Sequence, residues 1–195
     1  MSGEAYRSRV LVVEDDPGLR DLYVHTLRAD YDVRGAASIA AALDAADSSV
    51  AVVVLDRRLP DGDGLDALPR LVDATDGAFV VAVTDLDPGL DVVDAGLDDY
   101  LVKPVGPERL AEAVDALDER RHYEADVARY YALAAKRAAL EAAHDPTVLE
   151  ADDRYRRLLA DLEDVRDAVA PSVSLVGEPR RARALYRDFC AEADD

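Results

Sequence analysis

Four short apolar runs in the first 104 residues each end in a side chain with phosphate or metal chemistry. Glu14 and Asp15 follow Val10–Val13. Asp56 follows Val50–Leu55, Thr84 follows Phe79–Val83, and Lys103-Pro104 follows Tyr100–Val102. Runs with no polar alternation fit strands covered on both faces, which is the condition of a parallel sheet. The carboxyl ends of parallel strands converge on one edge, so residues far apart in sequence meet there. Three acids, a hydroxyl and a lysine at that edge could hold a divalent cation and a phosphoryl group.

The intervening segments support that reading. Pro17 suits a first helical position, and Leu19, Leu22, Tyr23 and Leu27 give an apolar stripe to about Ala29. A strand is predicted near Tyr31–Gly35, and Ser38 can cap a helix reaching Ala46. Leu59–Gly64 reads as a loop, Leu65–Asp73 as a helix, and Asp85–Asp99 has room for only a short helix. The α/β alternation predicts a doubly wound, five-stranded parallel sheet, flavodoxin-like, of order 2-1-3-4-5.

After Pro107 neither proline nor glycine occurs up to Ala143. The fifth helix either runs on or restarts near Arg120. Val127, Tyr131, Ala134 and Ala138 form one stripe, and Leu158, Leu162, Val165 and Val169 another, with Asp145-Pro146 as a break between them. Two helices of about 22 residues, each roughly 33 Å long, are expected to form an antiparallel α-helical hairpin that Pro171 ends. Val173–Val176 looks strand-like, and Arg180, Arg181 and Arg183 sit in an expected short helix. The predicted organisation is 1–119, 120–170 as the hairpin, and 171–195 as a tail.

The net charge is −19, with 10 basic against 26 acidic side chains in residues 1–119 and 13 against 16 in residues 120–195. Such a surface opposes DNA binding, which depends on neutralising phosphates. Only two lysines, Lys103 and Lys136, stand against 21 arginines. Acidity with scarce lysine suits a high-salt environment, where screening relieves self-repulsion. It also makes a lysine at a strand end conspicuous. Cys190 has no intrachain partner, and His25, His122 and His144 lack metal-ligand spacing. No apolar run approaches the roughly 20 residues of a membrane span, and Met1–Arg9 lacks a signal-peptide core. A soluble cytoplasmic protein is expected.

Hard cations such as Mg²⁺ take carboxylate oxygens, and Glu14, Asp15 and Asp56 supply them. With the charge neutralised, Asp56 can attack a phosphoryl donor and form an acyl phosphate, while Lys103 and Thr84 contact phosphate oxygens.

Val10-Leu11-Val12-Val13-Glu14-Asp15-Asp16-Pro17-Gly18-Leu19-Arg20, Val54-Leu55-Asp56-Arg57-Arg58-Leu59-Pro60-Asp61-Gly62-Asp63-Gly64, Val83-Thr84 and Asp99-Tyr100-Leu101-Val102-Lys103-Pro104 together resemble the CheY-like receiver domain of two-component response regulators. The likeness covers about residues 7–119. It implies that Asp56 accepts a phosphoryl group from a phosphohistidine on a sensor histidine kinase, without turnover of a separate substrate. It implies Mg²⁺ held by Asp15, Asp56 and the backbone carbonyl of Arg58, with Glu14 reaching the metal through water. Thr84 and Lys103 are then the phosphoryl contacts, Thr84 and Tyr100 the switch pair, and Lys103-Pro104 a cis peptide. Asp85 departs from the family, which usually has a small residue there; an acid beside Thr84 is expected to slow an anionic donor or bias the switch.

Arg120-Arg121-His122-Tyr123-Glu124, the run Tyr130–Glu141, and Tyr155-Arg156-Arg157-Leu158-Leu159-Ala160 resemble the HalX domain that follows receivers in halophilic archaea. The role of that domain is poorly defined, and the hairpin is read first as a packing and dimerisation element that passes the change at Asp56 to an unnamed downstream protein, with a route to transcription allowed. No helix-turn-helix with a basic recognition helix is apparent, so direct DNA binding is disfavoured. The rivals are an aspartyl phosphohydrolase, a DNA-binding regulator using the arginine-rich tail, and a receiver acting as a phosphate sink. The first generally needs an acid two residues after its nucleophile, where Arg58 stands.

Overall fold

The computed structural model describes residues 7–86, 88–89 and 95–175. They divide into two compact units that meet between Arg121 and His122.

The first unit is a five-stranded parallel sheet. Its strands are β1 (Arg9–Val13), β2 (Asp32–Ala36), β3 (Val50–Leu55), β6 (Phe79–Thr84) and β7 (Asp99–Val102), in the order β2-β1-β3-β6-β7. β4 (Arg58–Leu59) and β5 (Gly62–Asp63) form a separate two-residue hairpin. The expected order 2-1-3-4-5 is therefore the observed one. The stretch read as a loop, Leu59–Gly64, carries that small hairpin, closed by Gly62 at a φ of 147°.

Successive strand residues point to opposite faces, and both faces are filled. Val10, Val12, Val52, Val54, Val81 and Val83 lie on one face. Helix α1 (Pro17–Leu27) meets them there with Tyr23 and Leu27, and the start of helix α4 (Pro107–Ala143) with Leu110 and Val114. Leu11, Val13, Val53, Leu55 and Val80 lie on the other. Helices α2 (Ile39–Ala45) and α3 (Gly64–Ala74) cover them with Ile39, Ala42, Leu68 and Leu71. Each fully buried leucine contributes about 1.5–3 kcal/mol, so two filled faces hold the strand ends in register at the upper edge. Asp16 caps α1 by accepting from the Leu19 amide at 2.8 Å, and Ser38 caps α2 by accepting from Ala41 at 3.1 Å.

Helix α4 does not restart near Arg120; it continues for 37 residues. Leu110, Ala113, Val114 and Leu117 are its buried face. Farther along, the predicted stripe is only partly turned inward, because Tyr131 is 69% exposed. Asp145-Pro146 is both a break and a start: Asp145 caps a six-residue helix α5 (Pro146–Ala151) that was not anticipated. Helix α6 (Asp153–Leu175) buries Tyr155 and Val165. The Tyr155 hydroxyl donates to Glu141 Oε1 of α4 at 2.8 Å.

Two expectations are corrected. Pro171 does not end α6, which continues to Leu175. A proline deletes one amide donor, and the last turn closes without it. Val173–Leu175 are accordingly helical and not a strand. Most of the short helix expected between Asp85 and Asp99, the cluster Arg180, Arg181 and Arg183, and Cys190 fall outside the described residues. No helix among the described residues is long and apolar enough to cross a membrane.

Candidate functional site

The ends of β1, β3, β6 and β7 deliver their side chains to one edge of the sheet. Glu14 follows β1, and its amide donates to the Ala36 carbonyl at 3.0 Å. Asp56 follows β3, and its amide donates to the Val13 carbonyl at 2.9 Å. The Lys103 amide, after β7, donates to the Thr84 carbonyl at 2.8 Å. Each functional residue is thus tied to the neighbouring strand by the last rung of the ladder.

The Lys103 ammonium donates to Glu14 Oε2 and to Asp56 Oδ2, each at 2.6 Å. Glu14 and Asp56 are buried, and Asp15 is exposed at the rim. Carboxylate oxygens of all three lie within 4.8 Å of one another. Burial pushes the Glu14 carboxyl above its ordinary range, against the pull of Lys103. Burial also disfavours the Lys103 cation, but its hydrogen bonds to Asp56 and Glu14 outweigh it and hold its pKa above the ordinary lysine value. One lysine facing two buried acids leaves negative charge uncompensated. The oxygen-only donor set and that surplus fit a hard divalent cation.

Thr84 is fully buried at the end of β6. Its hydroxyl accepts from the Leu86 amide at 3.4 Å, and the Tyr100 hydroxyl donates to the Leu86 carbonyl at 3.0 Å. The two proposed switch residues therefore share one loop residue. Lys103-Pro104 is cis, as expected. Glu14, Asp15, Asp56 and Lys103 line an open cleft of about 280 Å³ together with Arg58 and Asp85. A larger hollow in the second unit, about 410 Å³, is lined by Leu140, Leu149 and Tyr155 and gathers no comparable set of acids.

Three contributions were not read from the sequence. Arg20 donates to the backbone carbonyls of Glu14 at 2.8 Å and Asp15 at 3.3 Å, clamping the acidic loop from α1. Arg58 forms an ion pair with Asp85 across the cleft. Gly64 lets the chain return close beneath Asp56: its amide donates to the Arg57 carbonyl at 2.7 Å, and an added Cβ would lie 2.4 Å from the Asp56 carbonyl oxygen. Backbone cannot yield as a side-chain tip can, so Gly64→Ala should cost about 1–3 kcal/mol and displace Asp56. Urea melts and metal titrations of that variant check both effects; a variant as stable as the parent contradicts the steric account.

Residues 10–115 match the model of the response regulator receiver domain, and residues 119–186 match that of the HalX domain. The chain belongs to the response regulator receiver family. It is 35% identical over 158 residues to a putative transcriptional regulator of Haloferax volcanii, covering 80% of this chain and 27% of that protein. It is 30% identical over 123 residues to the transcriptional regulatory protein DpiA of Escherichia coli, covering 58% of this chain and 53% of that one. The receiver chain thus spans about half or less of these relatives. A CheY-like receiver structure from Methanospirillum hungatei aligns with a TM-score of 0.56 at 27% identity, over 60% of this chain and 98% of that one. The relatives are named as transcriptional regulators, so the expectation against direct DNA binding has no support from them.

Proposed function

We propose that this receiver accepts a phosphoryl group on Asp56 from the phosphohistidine of a sensor histidine kinase and passes the resulting change through its helical region. The observation that carries the proposal is the pair of 2.6 Å bonds from one half-buried lysine to the buried carboxylates of Asp56 and Glu14. Asp15 and Asp56, with the Arg58 backbone carbonyl, would hold Mg²⁺, Glu14 through water. When bound, the ion supplies positive charge for the oxygens of the transferred group.

The chain's own residues do the rest. An Asp56 carboxylate oxygen attacks phosphorus, and the bond to the imidazole nitrogen breaks with its electron pair staying on nitrogen. Lys103 exchanges its Asp56 contact for a phosphoryl oxygen, offsetting the gathering charge. Thr84 donates its hydroxyl to a second oxygen. The loop at Leu86, which both Thr84 and Tyr100 bond, then shifts between two arrangements. Residues 1–119 act as the acceptor, and residues 120–170 relay the change to a downstream partner in the cytoplasm. The names of the relatives favour an output on transcription, whether through a partner or on DNA directly.

Incubation with acetyl phosphate and MgCl₂, followed by intact-mass measurement and peptide mapping, is the test. One phosphoryl group on Asp56, absent when EDTA is added, is the expected result. No modification, or one on another residue, overturns the assignment.

A further inference from the structure

Arg58 opens the short strand β4 soon after β3, Asp85 lies on the loop after β6, and they meet as an ion pair where both line the acidic cleft. The Arg58 amide donates to Asp56 Oδ1 at 3.1 Å, so its backbone is fixed to the acceptor while its side chain reaches across the opening. The guanidinium side chain is 63% exposed and that of Asp85 45% exposed. Such a pair is weak and easily parted.

The charges around it give the pair a role. Lys103 is engaged by Glu14 and Asp56. Glu14, Asp15 and Asp56 make the cleft repel any approaching anion. Among the described residues of the lining Arg58 is the other cation, and Asp85 occupies it. A guanidinium binds phosphate oxygens bidentately, and a phosphoryl dianion attracts it more strongly than one carboxylate does. An arriving donor therefore competes with Asp85 for Arg58.

We propose that Arg58 and Asp85 form a clasp across the mouth of the cleft that sets how fast an anionic phosphoryl donor reaches Asp56. While the clasp is closed, Arg58 is withheld from the donor. When it opens, Arg58 turns to the phosphate, and Asp85 stands beside it as a repelling charge. The proposal rests on Asp56 being the phosphoacceptor.

The test measures the rate of Asp56 modification by acetyl phosphate and MgCl₂ in the full chain, at one fixed KCl concentration. In that reaction the bond from Asp56 to phosphorus forms as the bond to the acetate oxygen breaks, and acetate leaves with the electron pair. Wild type is compared with Asp85→Asn, Arg58→Gln and the double variant, each checked for folding by circular dichroism. Asp85→Asn should be about threefold to tenfold faster, and Arg58→Gln slower by a similar factor. The decisive expectation is coupling: Arg58→Gln should cost more in the Asp85→Asn background than in wild type, because only there is Arg58 already released. Asp85→Ala, run in parallel, should match Asp85→Asn. An unchanged rate in Asp85→Asn, or strictly additive effects, overturns the clasp while leaving the acceptor assignment intact. Failure of wild type and every variant to be modified overturns the acceptor assignment itself, and the clasp with it.

Discussion

Asp56→Asn is expected to abolish phosphoryl incorporation while leaving the fold at least as stable as the parent. The amide is nearly isosteric but lacks a nucleophilic oxygen, so the rate should fall by a factor on the order of 10³ or more. The stability result has the opposite sign. Asp56 and Glu14 are both buried beside a single lysine. Neutralising one acid leaves a balanced Lys103–Glu14 pair and removes a desolvated charge, which should be neutral or stabilising by up to about 1 kcal/mol. Urea melts in EDTA measure this, and intact-mass analysis measures incorporation. Loss of more than that amount of stability would mean that Lys103 depends on Asp56 more than on Glu14. Incorporation at the parent rate would remove Asp56 from the chemistry.

Glu14, Asp56 and Thr84 were legible because the strands carrying them, β1, β3 and β6, are buried on both faces. Val50–Leu55 has no alternation to obscure its end, so Asp56 stands out as the first polar residue. The same is true of Glu14 after β1 and Thr84 at the end of β6. The supporting residues were harder to find because their partners are distant or belong to the backbone. Nothing in Arg58 or Asp85 alone announces an ion pair between residues 27 apart. Gly64 belongs to an Asp-Gly-Asp-Gly run that reads as any turn does, and its need for a missing Cβ becomes visible only with the Asp56 carbonyl beneath it. The helical half was ambiguous for a different reason. A run without proline or glycine states no stopping point, so α4 could continue past Arg120 as easily as restart. Asp145-Pro146 illustrates the same limit. The pair that interrupts one helix is also a cap and first residue for the next, and packing of Leu149 decides that a helix forms.

Lys103→Met is expected to produce the largest loss of stability at this edge, and one that metal reverses. Methionine keeps the length of the side chain and removes its charge. Two buried carboxylates then face each other without a counterion. Breaking a buried pair in this way usually costs 3–5 kcal/mol; the cleft is open to water on the Asp15 side, which reduces the expected cost to about 2–3 kcal/mol. The loss should be complete at neutral pH. Lys103 has a raised pKa, so its stabilisation is fully present below the ordinary lysine value and is lost only as pH climbs through the raised one. Glu14 is already raised by burial, and removing Lys103 takes away the contacts that oppose that rise. The gap between variant and parent should therefore narrow as pH falls through the raised Glu14 pKa, because a protonated Glu14 needs no counterion. Saturating MgCl₂ should narrow it at neutral pH as well: the ion stabilises both folded chains, but binds the variant more tightly because no ammonium competes for the buried acids. Urea melts of parent and variant across pH, with MgCl₂ and with EDTA, separate these terms. A gap that ignores both pH and Mg²⁺ would show that Lys103 stabilises this edge through packing of its methylene stem, and that the acidic cluster carries no charge deficit for a cation to fill.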